Sequence, residues 1–273
     1  MILKLGFMQG RLVNTEKKNT IQYFPSKNWP NEFKIARKIN LKIMEWTIND
    51  ENLEDNPIYN GDLKKLKDMI KKYKIEIPSI TNDYFMQKPF FKKKNKDKKN
   101  LILSNLKKII LNANKIGIKY HIFPLVDNSS IKNFEEEKNL IYEIKKLSRI
   151  LNKNSWILFE TDYNPMKVVK FLKKFKNKKI GLNYDTGNSA SLNYKIEDEI
   201  KYFNYVKNIH LKDRLLKGGT VRLGKGNWDY KKFFKLIKNI YRGNFILQTA
   251  RSSRNKHVDE ILTNIKFIEN EYK

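Results

Sequence analysis

Apolar residues follow two alternating spacings along the chain. Short runs rich in β-branched and aromatic residues are separated by longer segments in which apolar positions recur every three or four residues. The first spacing is typical of buried strands and the second of amphipathic helices. Strands are predicted at Leu3 to Met8, Ile43 to Thr47, Ile75 to Ile80, Lys119 to Phe123, Trp156 to Thr161, Gly181 to Tyr184, Val206 to Ile209 and Asn244 to Thr249.

Helices are predicted between these strands. They are Asn31 to Ile39, Asp62 to Tyr73, Lys98 to Ile116, Asn133 to Leu151, a helix starting at Pro165, an amphipathic segment before Val206, Tyr230 to Tyr241 and Val258 to Glu271. Strands that alternate with helices require right-handed crossovers and parallel pairing. The pattern therefore predicts an α/β protein, a closed (β/α)8 TIM barrel, with residues 1–273 as a single domain.

Length and composition agree with this interpretation. The chain has 273 residues, 40% of them hydrophobic, close to the roughly 250 residues of one such barrel. Because it contains no cysteine, disulfides and thiolate metal sites are excluded. Lys4 interrupts the apolar N-terminus, which is interpreted as a first strand and not as a signal peptide. A cytoplasmic location without membrane association is therefore predicted.

The charge of the chain is strongly positive. Lys and Arg number 57 against 29 Asp and Glu, so the net charge is 57 − 29 = +28. Most of the excess is lysine spread over the polar faces of helical segments, which favours a solvated surface over a nucleic-acid interface. The positive field is also compatible with a phosphorylated or carboxylated small substrate, and the oligomeric state, including a homo-oligomer, stays open.

Polar residues occupy the carboxyl ends of several predicted strands. Glu160, Asp185, His210 and Gln248 follow the last four strands, and Glu45 lies near the end of the second. Because the carboxyl ends of barrel strands meet at one rim, these side chains can surround one divalent cation. Oxygen donors with a single nitrogen suit Mn²⁺, Mg²⁺ or Co²⁺, with Zn²⁺ as an alternative.

Each of these donors also has a structural interpretation. Asp185, taken alone, is as typical of a helix cap as of a metal ligand, and a lone histidine such as His210 is more often structural. Glu160 is harder to dismiss, since an unpaired carboxylate at the end of an apolar strand is costly to bury. The coincidence of position along the rim favours the metal site.

Four motifs then resemble a known group of proteins. They are Glu160, Tyr184 to Asn188, Ile209 to Asp213, and Leu223 to Asp229, and the opening Gly6 to Leu12 and the pair Glu45-Trp46 are similar too. In order and spacing they resemble the xylose isomerase-like TIM-barrel superfamily of sugar and sugar-phosphate isomerases and epimerases, which also contains apurinic endonucleases of the endonuclease IV type.

The resemblance implies a mechanism. In that family a Glu, an Asp, a His and a second Glu hold one metal, and the two glutamates exchange protons with a ketose. Glu160, Asp185 and His210 match this set, whereas Gln248 departs from it. An amide oxygen can coordinate a metal but cannot act as a general base at neutral pH.

The predicted function is therefore a metal-dependent sugar or sugar-phosphate isomerase or epimerase acting through an enediolate, with Glu160 as base. Glu45 or Asp83 can supply the second proton, and Lys212 is a further catalytic candidate. The alternatives are a related lyase or dehydratase and a non-catalytic sugar-binding barrel. The endonuclease is disfavoured, because three histidines cannot build its multi-zinc cluster.

Substrate contacts are expected at the same rim. The loops after the seventh and eighth strands carry Lys212, Arg214, Arg222, Lys225 and Arg251. Barrels often bind phosphate there, and guanidinium groups suit that role, although an over-basic surface explains these residues equally well. Asn188, Asp83 and Trp46 complete the predicted substrate-binding residues.

Overall fold

The computed structural model describes residues 3–17, 20–176, 179–252 and 254–273. Parallel strands close into a barrel whose order follows the chain and ends by pairing the last strand with the first. The barrel strands are β1 Leu5–Met8, β2 Ile43–Ile48, β3 Glu76–Asn82, β4 Tyr120–Leu125, β5 Trp156–Thr161, β6 Ile180–Asp185, β7 Val206–Leu211 and β10 Asn244–Leu247. The predicted (β/α)8 barrel is confirmed.

Helices surround the barrel. They are α1 Trp29–Lys38, α2 Pro57–Asn60, α3 Leu63–Tyr73, α4 Asp83–Gln87, α5 Lys96–Lys115, α6 Phe134–Leu147, α7 Pro165–Lys173, α8 Thr186–Leu192, α9 Ile196–Glu199, α10 Tyr230–Ile237 and α11 His257–Tyr272. Pro165 opens α7 as predicted, and the Asn164 side chain caps it by accepting from the Met166 amide. Within the described ranges, no helix has the length and apolarity to cross a bilayer.

Short 3₁₀ helices complete the connections. They are Phe90–Lys92, Asp127–Ser129, Ser148–Ile150 and Ile200–Tyr205. The segment between β6 and β7, predicted as one amphipathic helix, is divided because Asn193 adopts a left-handed conformation that ends α8. Asp83 begins α4 directly after β3, whereas the helix predicted between the third and fourth strands was Lys98 to Ile116. Phe85 anchors this extra turn by stacking on Phe123, with ring centroids 4.9 Å apart.

An aromatic cluster lies between the barrel and α1. Trp46 packs with its ring centroid 5.6 Å from Phe24, 5.5 Å from Trp29 and 6.5 Å from Phe33. Its indole nitrogen donates to the Asn56 side chain at 3.0 Å. Neighbouring residues of a strand face opposite sides, so Trp46 points outward where Glu45 points into the barrel. Trp46 therefore stabilises the layer between strands and helices.

A hairpin follows β7. Strands β8 Asp213–Arg214 and β9 Thr220–Val221 pair antiparallel. The buried Asp213 carboxylate accepts from the backbone amides of Gly224, Gly226 and Trp228, at 2.9, 2.9 and 3.2 Å. A Cβ at position 226 would lie 2.1 Å from the Asp213 carboxylate, so only glycine fits this close approach. The glycine-rich motif thus folds around one carboxylate beside the rim.

Candidate metal centre

Three side chains from adjacent strands meet at the carboxyl end of the barrel. Glu160 lies on β5, Asp185 ends β6 and His210 lies on β7, directly paired with Asp185. Their donor atoms all lie within 4.8 Å of one another, and all three residues are buried. His210 Nδ1 is 3.1 Å from Glu160 Oε2 and 4.0 Å from Asp185 Oδ2. Strand register alone therefore brings these residues together.

Hydrogen bonds within the chain orient the two carboxylates. Glu160 Oε1 accepts from the Asn188 side chain at 2.8 Å, and Oε2 accepts from the Asn183 side chain at 3.0 Å. Asp185 Oδ1 caps α8 by accepting from the Asn188 amide at 2.9 Å. Asp185 Oδ2 is buried and accepts no hydrogen bond. Asp185 is thus a helix cap through one oxygen, while the other is available to a cation.

His210 is held from behind by a carboxylate. Its Nε2 lies 2.6 Å from Glu45 Oε1, and Glu45 is fully buried. Thr81 donates to the same Glu45 oxygen at 2.5 Å, and Ser79 and Asn208 donate to the other at 2.6 and 2.9 Å. Both oxygens of Glu45 are therefore committed to the chain. This carboxylate can orient the ring and direct Nδ1 toward Glu160 and Asp185.

The ionisation of the group follows from this packing. Burial alone would lower the pKa of His210, but the charges and hydrogen bonds of Glu45 and Glu160 raise the pKa to about 10. Burial raises the pKa of Asp185, assisted by the Glu160 charge and opposed by Lys212. For Glu160 the burial effect is outweighed by His210, Lys212 and Asn188, which lower its pKa. In the absence of a cation, His210 carries the positive charge that balances Glu160.

Gln248 follows β10 at the same rim. Its backbone amide donates to the Leu211 carbonyl at 3.1 Å, which continues the register of β10 with β7. The side-chain amide nitrogen donates to the Gln22 side chain at 2.6 Å. Gln248 Oε1 is buried without a hydrogen-bond partner. The amide is thus turned so that its nitrogen is satisfied and its oxygen is free.

Lys212 and Asp83 share the electrostatic surroundings of the donor group. Lys212 Nζ lies 3.7 Å from Asp185 Oδ2, and its stem packs over Gly187, where a Cβ would be only 2.6 Å from Lys212 Cγ. Burial and then the Glu160 charge raise the pKa of Asp83 to about 7, while Lys212 and His210 act in the opposite direction. The Asp83 carboxyl group therefore gains or loses its proton near neutral pH.

The predicted arginines occupy three different environments. Arg214 donates to Asn188 Oδ1 at 3.3 Å and to the Gly218 carbonyl at 3.0 Å, so it touches a residue that orients Glu160. Arg251 uses both terminal nitrogens to hold the carbonyls of residues 10 and 13. The structure does not bring Arg222 to the group, since it pairs with Glu260 on an exposed surface. Trp46 is likewise absent from it, for the packing reason given above.

Several polar residues of the site were not predicted from the sequence. Asn183 and Asn208 join the carboxylates to His210 through a continuous hydrogen-bond chain, and Asn208 donates to Asn183 at 2.8 Å. Each lies two residues before a predicted ligand, Asp185 or His210, and so shares its face of the strand. A polar residue at that spacing in an apolar strand was the available signal. No comparable signal identified Ser79 or Thr81.

Known proteins resemble this chain in sequence and in fold. The chain is 25% identical over 166 residues to a probable endonuclease 4 of Persephonella marina, a match that covers 50% of this chain and 58% of that protein. The match thus spans less than two thirds of the length of this curated relative. The fold is similar to D-allulose 3-epimerase from Methylomonas sp. in complex with D-allulose, with TM-score 0.77, 15% identity and coverage of 99% and 97% of the two chains.

A second solved structure with this fold is the IOLI protein with a binding zinc atom, with TM-score 0.74, 17% identity and coverage of 99% and 98%. The sequence profile described as xylose isomerase-like TIM barrel matches residues 33–271, which is most of the chain. The resemblance predicted from the strand-end motifs is confirmed, and the chain belongs to the xylose isomerase-like TIM barrel family.

Proposed function

We propose that this protein is a metal-dependent isomerase or epimerase of a sugar or sugar derivative. The observation that carries the proposal is the convergence of Glu160, Asp185 and His210, whose donor atoms lie within 4.8 Å of one another. The similarity of the fold to a sugar epimerase supports it. The donor set fits a cation, because Asp185 Oδ2 and Gln248 Oε1 are buried acceptors that receive no hydrogen bond from the described residues.

Glu160, Asp185, His210 and Gln248 are the residues proposed to hold the metal. Three oxygen donors and one nitrogen suit Mn²⁺, Mg²⁺ or Co²⁺, and the zinc bound by the similar IOLI protein keeps Zn²⁺ as an alternative. When bound, such a cation polarises the substrate carbonyl and stabilises the negative charge of an enediolate.

Glu160 is the proposed general base. Its lowered pKa keeps the carboxylate ionised at neutral pH, and Asn188 and Asn183 hold it in one orientation. It removes the proton from the hydroxyl-bearing carbon beside the carbonyl and returns it to the former carbonyl carbon, while the proton of that hydroxyl moves to the former carbonyl oxygen. The Lys212 ammonium adds positive charge beside Asp185, at the same site.

Two-base epimerisation needs a second proton carrier. Gln248 cannot serve, because an amide is not a base at neutral pH, and Glu45 has both oxygens occupied within the barrel. Asp83 is the proposed carrier. It starts α4 at the rim, and it experiences the charges of Glu160, Lys212 and His210.

A nuclease is a weaker proposal despite the endonuclease relative. Of the three histidines, His121 is buried with both ring nitrogens unpaired, and burial lowers its pKa to about 3. His257 begins α11 and bonds Asn14 at 2.7 Å. His210 alone joins the metal donors among the described residues. The described part of the chain therefore offers one metal position and not a histidine-rich cluster.

Proton exchange with solvent tests the proposal. The metal-loaded protein is incubated in deuterated water with a panel of ketoses, aldoses and their phosphates, and deuterium incorporation at carbon is followed by NMR. We expect exchange in at least one sugar and its loss in Glu160→Gln, which keeps an oxygen donor for the metal. Arg222→Gln, changed far from the group, is the control and retains activity. Bound metal without exchange into any sugar would reject catalysis and favour the sugar-binding barrel.

A further inference from the structure

The loop after β1 is clamped from two sides. Gly10 adopts a positive φ of 84°, and a Cβ there would lie 2.8 Å from the Tyr23 carbonyl. Glu32 Oε1 accepts from the amides of Gly10 and Leu12 at 2.8 and 3.2 Å. Arg251 binds the carbonyls on either side of the same segment. The backbone of the intervening residue, Arg11, is consequently fixed.

The side chain of Arg11 is buried but only partly bonded. It is 2% exposed, and its Nε donates to the Thr249 carbonyl at 2.8 Å. Both terminal nitrogens, Nη1 and Nη2, are buried, and no group of the described chain accepts a hydrogen bond from them. A buried guanidinium with unused donors is costly, and Arg side chains normally pair such donors with an oxyanion.

The charges around Arg11 connect it to the metal donors. Burial and the nearby Arg251 lower the pKa of Arg11 to about 9, whereas Glu32 and Asp83 oppose this, so the guanidinium stays charged at neutral pH. Asp83 also experiences the charges of Glu160, Lys212 and His210. Geometry places Arg11 at the same rim, because the carbonyl that accepts from its Nε belongs to Thr249, which directly follows Gln248. Glu32 does not bond the guanidinium, since its Oε1 is used by the loop amides and its Oε2 is unpaired.

Other unused polar groups lie on the same side of the rim. They lie at the carboxyl ends of β1, β3 and β10 and are buried without a partner: Gln9 Nε2, both side-chain polar atoms of Asn82 and Thr249 Oγ1. Native proteins leave few buried polar groups unpaired, so a local concentration of them indicates a ligand. A polyhydroxylated molecule offers hydroxyls to amides and threonine, while Arg11 requires a negative charge.

We propose that the terminal nitrogens of Arg11 bind an oxyanion of the substrate, either a carboxylate or a phosphate. The substrate is then an anionic sugar derivative and not a neutral sugar. The assignment rests on the proposed function, because it takes the metal donors as the reacting end of the same site. Guanidinium matches both oxyanions through two parallel hydrogen bonds, a geometry that lysine cannot reproduce.

A matched set of ligands tests the assignment. D-Fructose, D-fructose 6-phosphate and D-fructuronate share one ketose and differ at C6, where they carry a hydroxyl, a phosphate and a carboxylate. Titration calorimetry with the metal-loaded protein should show one anionic ligand bound about 100-fold more tightly than fructose. The anion that is preferred identifies the source of the charge. Equal affinity for all three ligands, or no binding of any at millimolar concentration, would overturn the proposal.

Variants of Arg11 separate recognition from folding. In Arg11→Gln the affinity for the preferred anion should fall to that for fructose, while fructose affinity is unchanged, and Arg11→Lys should recover only part of the preference. Arg222→Gln removes the same charge outside the site and should keep the preference. An anion preference that survives Arg11→Gln contradicts the assignment. If Arg11→Gln does not fold, the ligand-induced rise in Tm of the wild type decides, since the preferred anion must raise Tm more than fructose.

Deuterium exchange with the same three ligands distinguishes this proposal from the proposed function. Anion preference that depends on Arg11, without exchange into any ligand, supports the Arg11 site and rejects the isomerase. Exchange into fructose without anion preference keeps the isomerase and rejects the Arg11 site.

Discussion

Two sides of the barrel rim treat their buried polar groups differently. On the metal side, which comprises Glu160, Asn183, Asp185, Asn188 and His210, side chains bond one another in a continuous network. On the unpaired side, which comprises Gln9, Arg11, Asn82 and Thr249, each residue has at least one buried polar atom without a partner. Among the metal-side residues, Asp185 Oδ2 is the one side-chain atom that is buried without a hydrogen-bond partner.

The contrast indicates a division of work. A network that is complete before any ligand arrives fixes the directions of the donor atoms, which is the preorganisation that metal binding and proton transfer need. Each unpaired buried group costs about 1–3 kcal/mol until something satisfies it. A polar substrate that pairs these groups removes this cost, which contributes to its binding free energy. We therefore expect the unpaired side to set substrate specificity.

Among the proposed changes, removing a metal donor should have the largest effect, which is the loss of bound metal. Asp185→Asn retains an oxygen to cap α8 but loses the charge at Oδ2, and His210→Ala removes the nitrogen donor. We expect bound metal to fall below detection in both variants, measured by elemental analysis after gel filtration, with circular dichroism unchanged. The matched change on the unpaired side, Thr249→Val, should leave metal content as it is. Full metal occupancy in His210→Ala would remove the distinction between the two sides.

The carboxylate behind His210 gives the next prediction. In Glu45→Gln the ring loses the charged acceptor that orients it, and second partners of this kind are worth about 10–100-fold in metal affinity. Glu32→Gln replaces an equally buried carboxylate that clamps the loop of Arg11. Calorimetric titration with Mn²⁺ should show weaker binding in Glu45→Gln and unchanged binding in Glu32→Gln. Equal losses in the two variants would mean that both carboxylates act only through stability.

The sequence predicts the metal side better than the unpaired side. Strand periodicity places Glu160, Asp185 and His210 at strand ends, and parallel pairing then brings them together. The role of Glu45 depends on a contact with a residue 165 positions away, which no local pattern encodes. Alternation within β2 does separate Glu45 from Trp46, because adjacent residues of a strand cannot face the same side.

The unpaired side depends on loops. Arg11 follows β1 in a segment without periodicity, and its position is set by Glu32 and Arg251, which are distant in sequence. Among several arginines near the rim, the sequence does not distinguish a guanidinium with free donors from Arg251, which is used to hold a loop, or from Arg222, which forms a surface ion pair. Those roles emerge only from tertiary hydrogen bonding.

The last prediction concerns how pH changes the free energy of unfolding. Burial raises the pKa of Glu32 from 4.5 to about 7, although the amides of Gly10 and Leu12 and the nearby arginines act in the opposite direction. Folding therefore favours protonated Glu32, and this contribution is complete below about pH 4.5 and lost as pH rises through about 7. For Glu160 the pKa is lowered, so its contribution is present above the unfolded pKa and lost as pH falls.

Urea unfolding of the metal-free protein between about pH 4.5 and 7 measures this difference. The raised pKa of Glu32 alone corresponds to a decrease in the free energy of unfolding on the order of 3 kcal/mol across that pH range. Glu32→Gln should remove only its own part of the decline, because the amide does not titrate while Asp83, whose pKa is also raised to about 7, still does. Glu160→Gln should leave the Glu32 part of the decline in place. A wild-type stability that rises through this range and is unaffected by Glu32→Gln would show that burial does not destabilise the ionised carboxylate that holds the Arg11 loop. The proposed difference between the two sides would then lose this energetic support.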